Sequence, residues 1–320
     1  MSHVELPDSA RPDRLGMAAA SRAAAMLSRE IAYADPDPLT MAEFDDRLHR
    51  YATTLLTLPH TLLVRPVIAD WRRAQAALGR RLSPAVHREL TGVAGFLSFY
   101  LGVLAVEAGD DPSARRFATL TDQFAAQLDD PLLTGTAATL DSLVAFVTGR
   151  YDAAAGAARR ADAAGHPYLH GWAAALEAGA AATLGDTDTA LIALDRLTQR
   201  PNVQGLRHPG WPAFDEVREA CVVADVVSRM GGDGAADLGR IAVDMTSSGT
   251  VERGWALASL AGALAPDDPP EASRMLGEIV DILDVHPSRL LSRRVNEIVS
   301  IAGLGLLPLT THPDGADTTA

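Results

Sequence analysis

An apolar helix, a Gly-centred turn and a second helix with an early alanine recur along this chain about every forty residues. The unit reads Ala105–Gly109–Ala114, Ala145–Gly149–Ala154 and Ala181–Gly185–Ala190, with a looser copy at Ala263–Asp267–Ala272. The second-helix alanines are spaced by 40 (114 to 154), 36 (154 to 190) and 82 residues (190 to 272), the last gap holding one degenerate unit. A single helix pair cannot bury its own apolar face, so a fixed period of this size predicts neighbours stacked on one another. The fold expected is all-α, an α-solenoid of antiparallel helix pairs.

Composition supports that reading. Hydrophobic residues make up 48% of the 320 positions, mostly Ala, Leu and Val, with 5% aromatics. Alanine and leucine favour helix, and alanine lets helices approach closely. All 28 Lys/Arg positions are arginine, which removes Schiff-base chemistry and a phosphate-loop lysine. A net charge of −13 argues against direct nucleic-acid binding unless arginine collects on one face. Cys221 is the only cysteine, so an internal disulfide or a cysteine-based zinc site is excluded. The start of the chain lacks a secretory pattern, and the longest apolar run, 92–106, is shorter than a bilayer span. A soluble, cytoplasmic protein without membrane contact is expected.

Helices are expected over 12–33, 41–58, 62–82, 84–108, 112–128, 132–148, 151–164, 167–184, 187–199, 212–230, 233–246, 250–265, 270–284 and 287–303. Thr40 reads as an N-cap with Glu43 as its capping-box partner, and Ser83-Pro84 as a cap followed by a first-turn proline. The loop 200–210 is the longest internal connection. The organisation expected is a lead and helix over 1–40, one solenoid over 41–304 and a disordered tail over 305–320.

The units resemble tetratricopeptide repeats. Gly102 stands where that motif's small residue allows close helix contact, Gly109, Gly149 and Gly185 occupy the turn, and Tyr151 follows it as the motif's aromatic does. The early tryptophan of the motif is absent from most units, and the period exceeds the usual one. Over about residues 44–304 the chain is also similar to the C-terminal sensory region of actinobacterial lambda-repressor-like (XRE-type) transcriptional regulators. The stretches that carry the likeness are Leu82–Gly109, Gly165–Ala193 and Val251–Ile301 with its Pro287-Ser-Arg-Leu-Leu-Ser-Arg-Arg294. In that family a helix-turn-helix precedes the repeats, whereas only about forty residues precede them here. The resemblance implies a regulatory sensor or adaptor of tetratricopeptide-like architecture, without its own DNA-binding domain.

In such an array the first helix of each pair lines the concave side. The inward positions expected are Phe96, Phe99, Phe146, Trp172, Arg218, Cys221 and Asp225, and His170, from the polar-aromatic cluster beside Trp172, is a further candidate ligand contact. An apolar wall with one Arg–Asp pair suits a small molecule or a peptide, while ordinary inter-repeat core has an equal claim on the aromatics. Asp225 sits mid-helix in an apolar run and needs Arg218 or Arg229 to stay ionised. His166 and His170 are four apart, but Pro167 puts His166 at the helix start, so capping outweighs metal binding. His208-Pro-Gly-Trp211-Pro reads either as a lid or as a spacer with Trp211 plugging a gap. Arg289, Arg293 and Arg294 form the most basic stretch, read as a solvated capping face. Cys221 has no histidine within helical reach.

The functional expectation is a groove-binding sensor or adaptor with no cofactor or metal, working through a protein partner. Whether the chain pairs with a second copy stays open. Its alternatives are an enzyme of specialised metabolism, with acid–base chemistry around Asp225, Arg218 and the histidines 166, 170 and 208, and a protein-interaction scaffold without ligand.

Overall fold

The recurring Ala–Gly–Ala spacing has a physical origin in the turn between paired helices. The computed structural model describes residues 17, 19–27, 35–203 and 205–303. In the first unit Gly109 adopts φ +78, its N–H bonds Val106 O at 3.1 Å, and the N–H of Asp110 bonds Ala105 O at 2.9 Å. That pair closes the helix with a left-handed glycine, a Schellman turn. Asp110 then caps the next helix by accepting from Ser113 N at 3.0 Å, which places Ala114 one turn in, fully buried. Gly149 and Gly185 repeat the geometry, with Arg150 N on Ala145 O and Asp186 N on Ala181 O. A side chain at the left-handed position would be strained, so the spacing encodes a hairpin.

Among the described residues all regular structure is helical. After an exposed helical stretch at 19–27, the α-helices are α1 (Pro38–Thr54), α2 (His60–Leu78), α3 (Pro84–Glu107), α4 (Asp111–Ala125), α5 (Pro131–Val147), α6 (Tyr151–Ala163), α7 (His170–Leu184), α8 (Thr187–Thr198), α9 (Glu216–Met230), α10 (Ala235–Met245), α11 (Val251–Leu264), α12 (Pro269–Val285) and α13 (Arg289–Ala302). The expectations for residues 1–16, 18, 28–34, 204 and 304–320, the two ends of the helix expected over 12–33 among them, lie outside the described residues. Each helix from α2 to α12 packs on the next, and α3, α5, α7, α9 and α11 also pack on one another in sequence. These five form an inner row. α13 continues it from α11 and then returns to α3, so the row closes on itself.

Three expectations are corrected. Asp37, not Thr40, caps α1: its Oδ1 accepts from Thr40 N at 3.1 Å, because Pro38 occupies the first turn. The helix expected from 212 starts at Glu216, since Asp215 is its cap and Trp211 and Pro212 are held elsewhere. Arg289, Arg293 and Arg294 do not line a solvated end. α13 turns that face inward, and Arg294 is 4% exposed.

α3 is long and apolar enough to cross a bilayer, yet 83% of its apolar window is buried inside the helix array. From Val93 to Val106 every residue of α3 is buried.

Two glycines make opposite predictions. A Cβ on Gly239 would lie 2.9 Å from the Leu260 Cα, which is backbone, whereas one on Gly179 would meet nothing within 4 Å. Gly239→Ala is expected to lower stability by about 1–3 kcal/mol. Gly179→Ala, in the middle of α7, is expected to raise it by roughly 0.5–1 kcal/mol. Denaturant titration of both variants checks the pair.

Candidate functional site

The inner faces of α3, α5 and α7 present aromatic and small polar side chains, and residues 205–215, here the strap, lie across them. Gly210 N–H donates to the Tyr100 hydroxyl at 2.8 Å. Trp211 Nε1 donates to Thr139 Oγ1 at 2.7 Å, and the Trp211 carbonyl accepts from the Tyr168 hydroxyl at 3.2 Å. Trp172 Nε1 donates to Pro212 O at 2.8 Å. The Trp211 ring stacks on Trp172 at 4.6 Å and meets Phe99 edge-on at 5.1 Å. The backbone of the strap is thus read by side chains and its tryptophan fills an aromatic slot. Gly210, at φ +97, is needed for the approach: a Cβ there would stand 3.1 Å from Thr136 Oγ1.

α13 covers the other end of the inner row. Arg293 Nη1 donates to Phe146 O at 3.2 Å and Val147 O at 2.8 Å, capping α5, and Arg293 also donates to the Tyr151 hydroxyl. Arg289 pairs with Asp111, and its backbone N–H donates to Glu107 Oε2 at 3.0 Å. Burial pushes the Glu107 carboxyl up, against hydrogen bonds from Ser288 and the first amides of α13. Deeper in, Asp225 lies between Arg229 Nε at 2.8 Å and Arg294 Nε at 2.9 Å, and Arg229 reaches Glu297 at 2.9 Å. Burial opposes the Asp225 charge, but the two guanidiniums outweigh it and hold the carboxyl below its ordinary range.

The residues expected in one groove are therefore divided. Phe96, Phe99 and Trp172 belong to the strap end, and Phe146 lies under the Arg293 guanidinium at 5.8 Å. His170 faces α6, where its Nδ1 is 2.6 Å from Asp162. Arg218 and Asp225 are not a pair. They sit seven residues apart, about 10 Å along the helix axis. Arg218 binds Asp215 and Glu252, while Asp225 takes Arg229, its neighbour one turn on. His166 caps the short 3₁₀ turn at Pro167–Leu169 through Tyr168 N. Cys221 is buried, its thiol pushed up to about 12, with Sγ 3.7 Å from Glu252 O. Among the described residues no group of three or more His, Cys, Asp or Glu is placed to hold a metal.

What remains open is a cavity of about 610 Å³ between α1 and the strap. His49, Arg50 and Asp46 approach it from α1, and Arg207, His208 and Pro212 from the strap, with Tyr168 behind. His49 ties the two walls: its Nδ1 is 2.8 Å from Asp45 O and its Nε2 is 3.3 Å from Arg207 O. A neutral ring donates to one of these carbonyls and an imidazolium to both. His208 stands edge-on to Tyr168 at 4.9 Å and to His166 at 5.3 Å. Burial and the neighbouring His208 hold the His166 ring below the usual imidazole range. Sequence reasoning named His208 but missed His49, Arg50 and Arg207, because nothing local in α1 announces that residues about 158 positions away will face it. A second hollow, about 570 Å³ along α13, is lined by arginines already committed to Asp111 and to the α5 carbonyls.

The chain matches no family model, no curated protein and no solved structure.

Two predictions follow from this packing. Trp211→Ala should cost about 3–5 kcal/mol, read as a lowered denaturation midpoint. Asp225→Ala strands two buried arginines and should cost about 3–5 kcal/mol. Because the Asp225 carboxyl is held low when folded, its contribution is present above the ordinary value of 3.8 and is lost as pH falls through its folded value. Melting curves of the native protein should lose stability below about pH 4, and Asp225→Asn should flatten that part of the profile.

Proposed function

We propose that this protein is a tetratricopeptide-like α-solenoid that binds a small molecule in the cavity beneath its strap, and that it acts as a sensor or adaptor with output through a protein partner. The observation that carries the reading is the cavity itself. It has the volume of an ordinary small-molecule site, it is half apolar and half polar, and several polar side chains converge on it from two separate segments. The wall made by the strap also carries Trp211, so an occupant would be coupled to the packing of the whole inner row. Support for the repeat architecture comes from the Schellman-turn hairpins and the sequential packing of the inner helices.

The acid–base alternative has less behind it. Asp225 is held ionised between two arginines and is a poor proton donor or acceptor near neutral pH. The histidines 166, 170 and 208 do not converge with Asp225 or Arg218 on a common hollow.

A metabolite collection screened by thermal shift tests the proposal. A compound present at about 100 times its Kd should stabilise the fold by roughly 2.7 kcal/mol. Thr53 is exposed and lines the cavity, so Thr53→Trp should fill it without loss of helicity and abolish the shift. A full response in Thr53→Trp, or no stabilising compound at all, would reject the reading.

A further inference from the structure

We propose that the occupant of the strap cavity is a small organic anion, one carboxylate or phosphoryl group on a compact apolar body. The inference rests on the reading of this cavity as a ligand site and adds the chemistry of the ligand.

The argument begins with charge. The chain carries a net −13, and many of its less exposed arginines meet a carboxylate, among them Arg200, Arg229, Arg253, Arg289 and Arg294. Arg50 and Arg207 line the cavity from opposite walls and have no ion-pair partner among the described residues. Two arginines without an ion-pair partner line one hollow, and in so acidic a chain that lining is matched to a negative guest. Guanidinium presents a planar fork of donors suited to carboxylate or phosphate oxygens. His208 also lines the hollow, while both ring nitrogens of His49 are taken up by the Asp45 and Arg207 carbonyls. The lining also holds one carboxylate, Asp46, which leaves the balance positive.

The remaining wall is apolar. Ala52, Leu206, Pro212 and Ala213 line it together with Tyr168, whose hydroxyl is turned away to the Trp211 carbonyl. An inorganic ion would leave this wall wet, whereas a ring or short acyl body would cover it. Because Arg207 and Pro212 belong to the strap, a bound anion would bridge α1 to the strap and tighten the seat of Trp211.

Four probes of one shape test the charge requirement: benzoate, phenyl phosphate, benzamide and benzylamine. Binding is followed by thermal shift and by the fluorescence of the Trp172–Trp211 stack. Benzoate or phenyl phosphate should bind at least about tenfold more tightly than benzamide, and benzylamine should not bind. Whichever anion binds better says whether the natural group is a carboxylate or a phosphate. Arg50→Gln and Arg207→Gln are exposed substitutions that should leave the melting temperature unchanged and weaken the anion about tenfold each. Raising salt to about 0.5 M should weaken it further. Equal binding of benzamide and benzoate, or full anion binding in both arginine variants, overturns the anion proposal. In that case a benzamide response abolished by Thr53→Trp would leave the cavity reading standing. No binding of either anion up to about 10 mM also overturns it.

Discussion

Three of the inner helices, α3, α5 and α7, are apolar around most of their circumference, and that surface must be covered. α3 is buried from Val93 to Val106, and α5 and α7 keep most of their residues from water. Paired outer helices cover one side of each. The other side would remain open in a row of hairpins, and it carries rings such as Phe96, Phe99, Tyr100 and Trp172. Exposing that much contiguous apolar surface is unfavourable at about 25 cal/mol per Å². The chain covers it with two of its own segments, the strap at one end and α13 at the other.

The two segments are held by different physics. Trp211 gives the strap a large apolar anchor, and three side-chain hydrogen bonds satisfy its backbone, so little polar cost remains. α13 buries Leu291, Val295 and Ile298 in the core it shares with α11 and α12, and its arginines reach across the row: Arg293 to the α5 carbonyls, Arg289 to Asp111 and Arg294 to Asp225. Buried ion pairs of this kind add little net stability, but losing one partner is costly, and they dictate where the helix must lie. Closure of the row is thus specified by charge and filled by aromatics.

That closure leaves the inner face of the helix row without an open concavity among the described residues. With the inner face occupied by the chain itself, the open concavity is displaced to the seam between the strap and α1.

The chain's local order was legible from its residues. Glycine at the turn, an aspartate cap after it in two of the three units (Asp110 and Asp186) and alanine one turn later are short-range chemistry, so the hairpins over 84–199 could be drawn within a few residues of their observed bounds. Individual partners were legible only in part: Arg229 was one of two candidates for Asp225, and Arg294 was not foreseen. Arg218 and Asp225 share a helix and looked like a pair, yet Arg229 sits one turn away and Arg294 arrives from α13, 69 positions beyond Asp225 (294 − 225). His49 and Arg50 carry no local mark of a site, and they acquire one only when the strap folds down beside α1. The amino-acid order by itself settled the helices and their pairing, because propensity, capping and periodicity act over a few residues. Tertiary structure alone decided that the row closes and where its remaining cavity lies, because long-range burial and charge pairing choose among surfaces that local chemistry leaves equivalent.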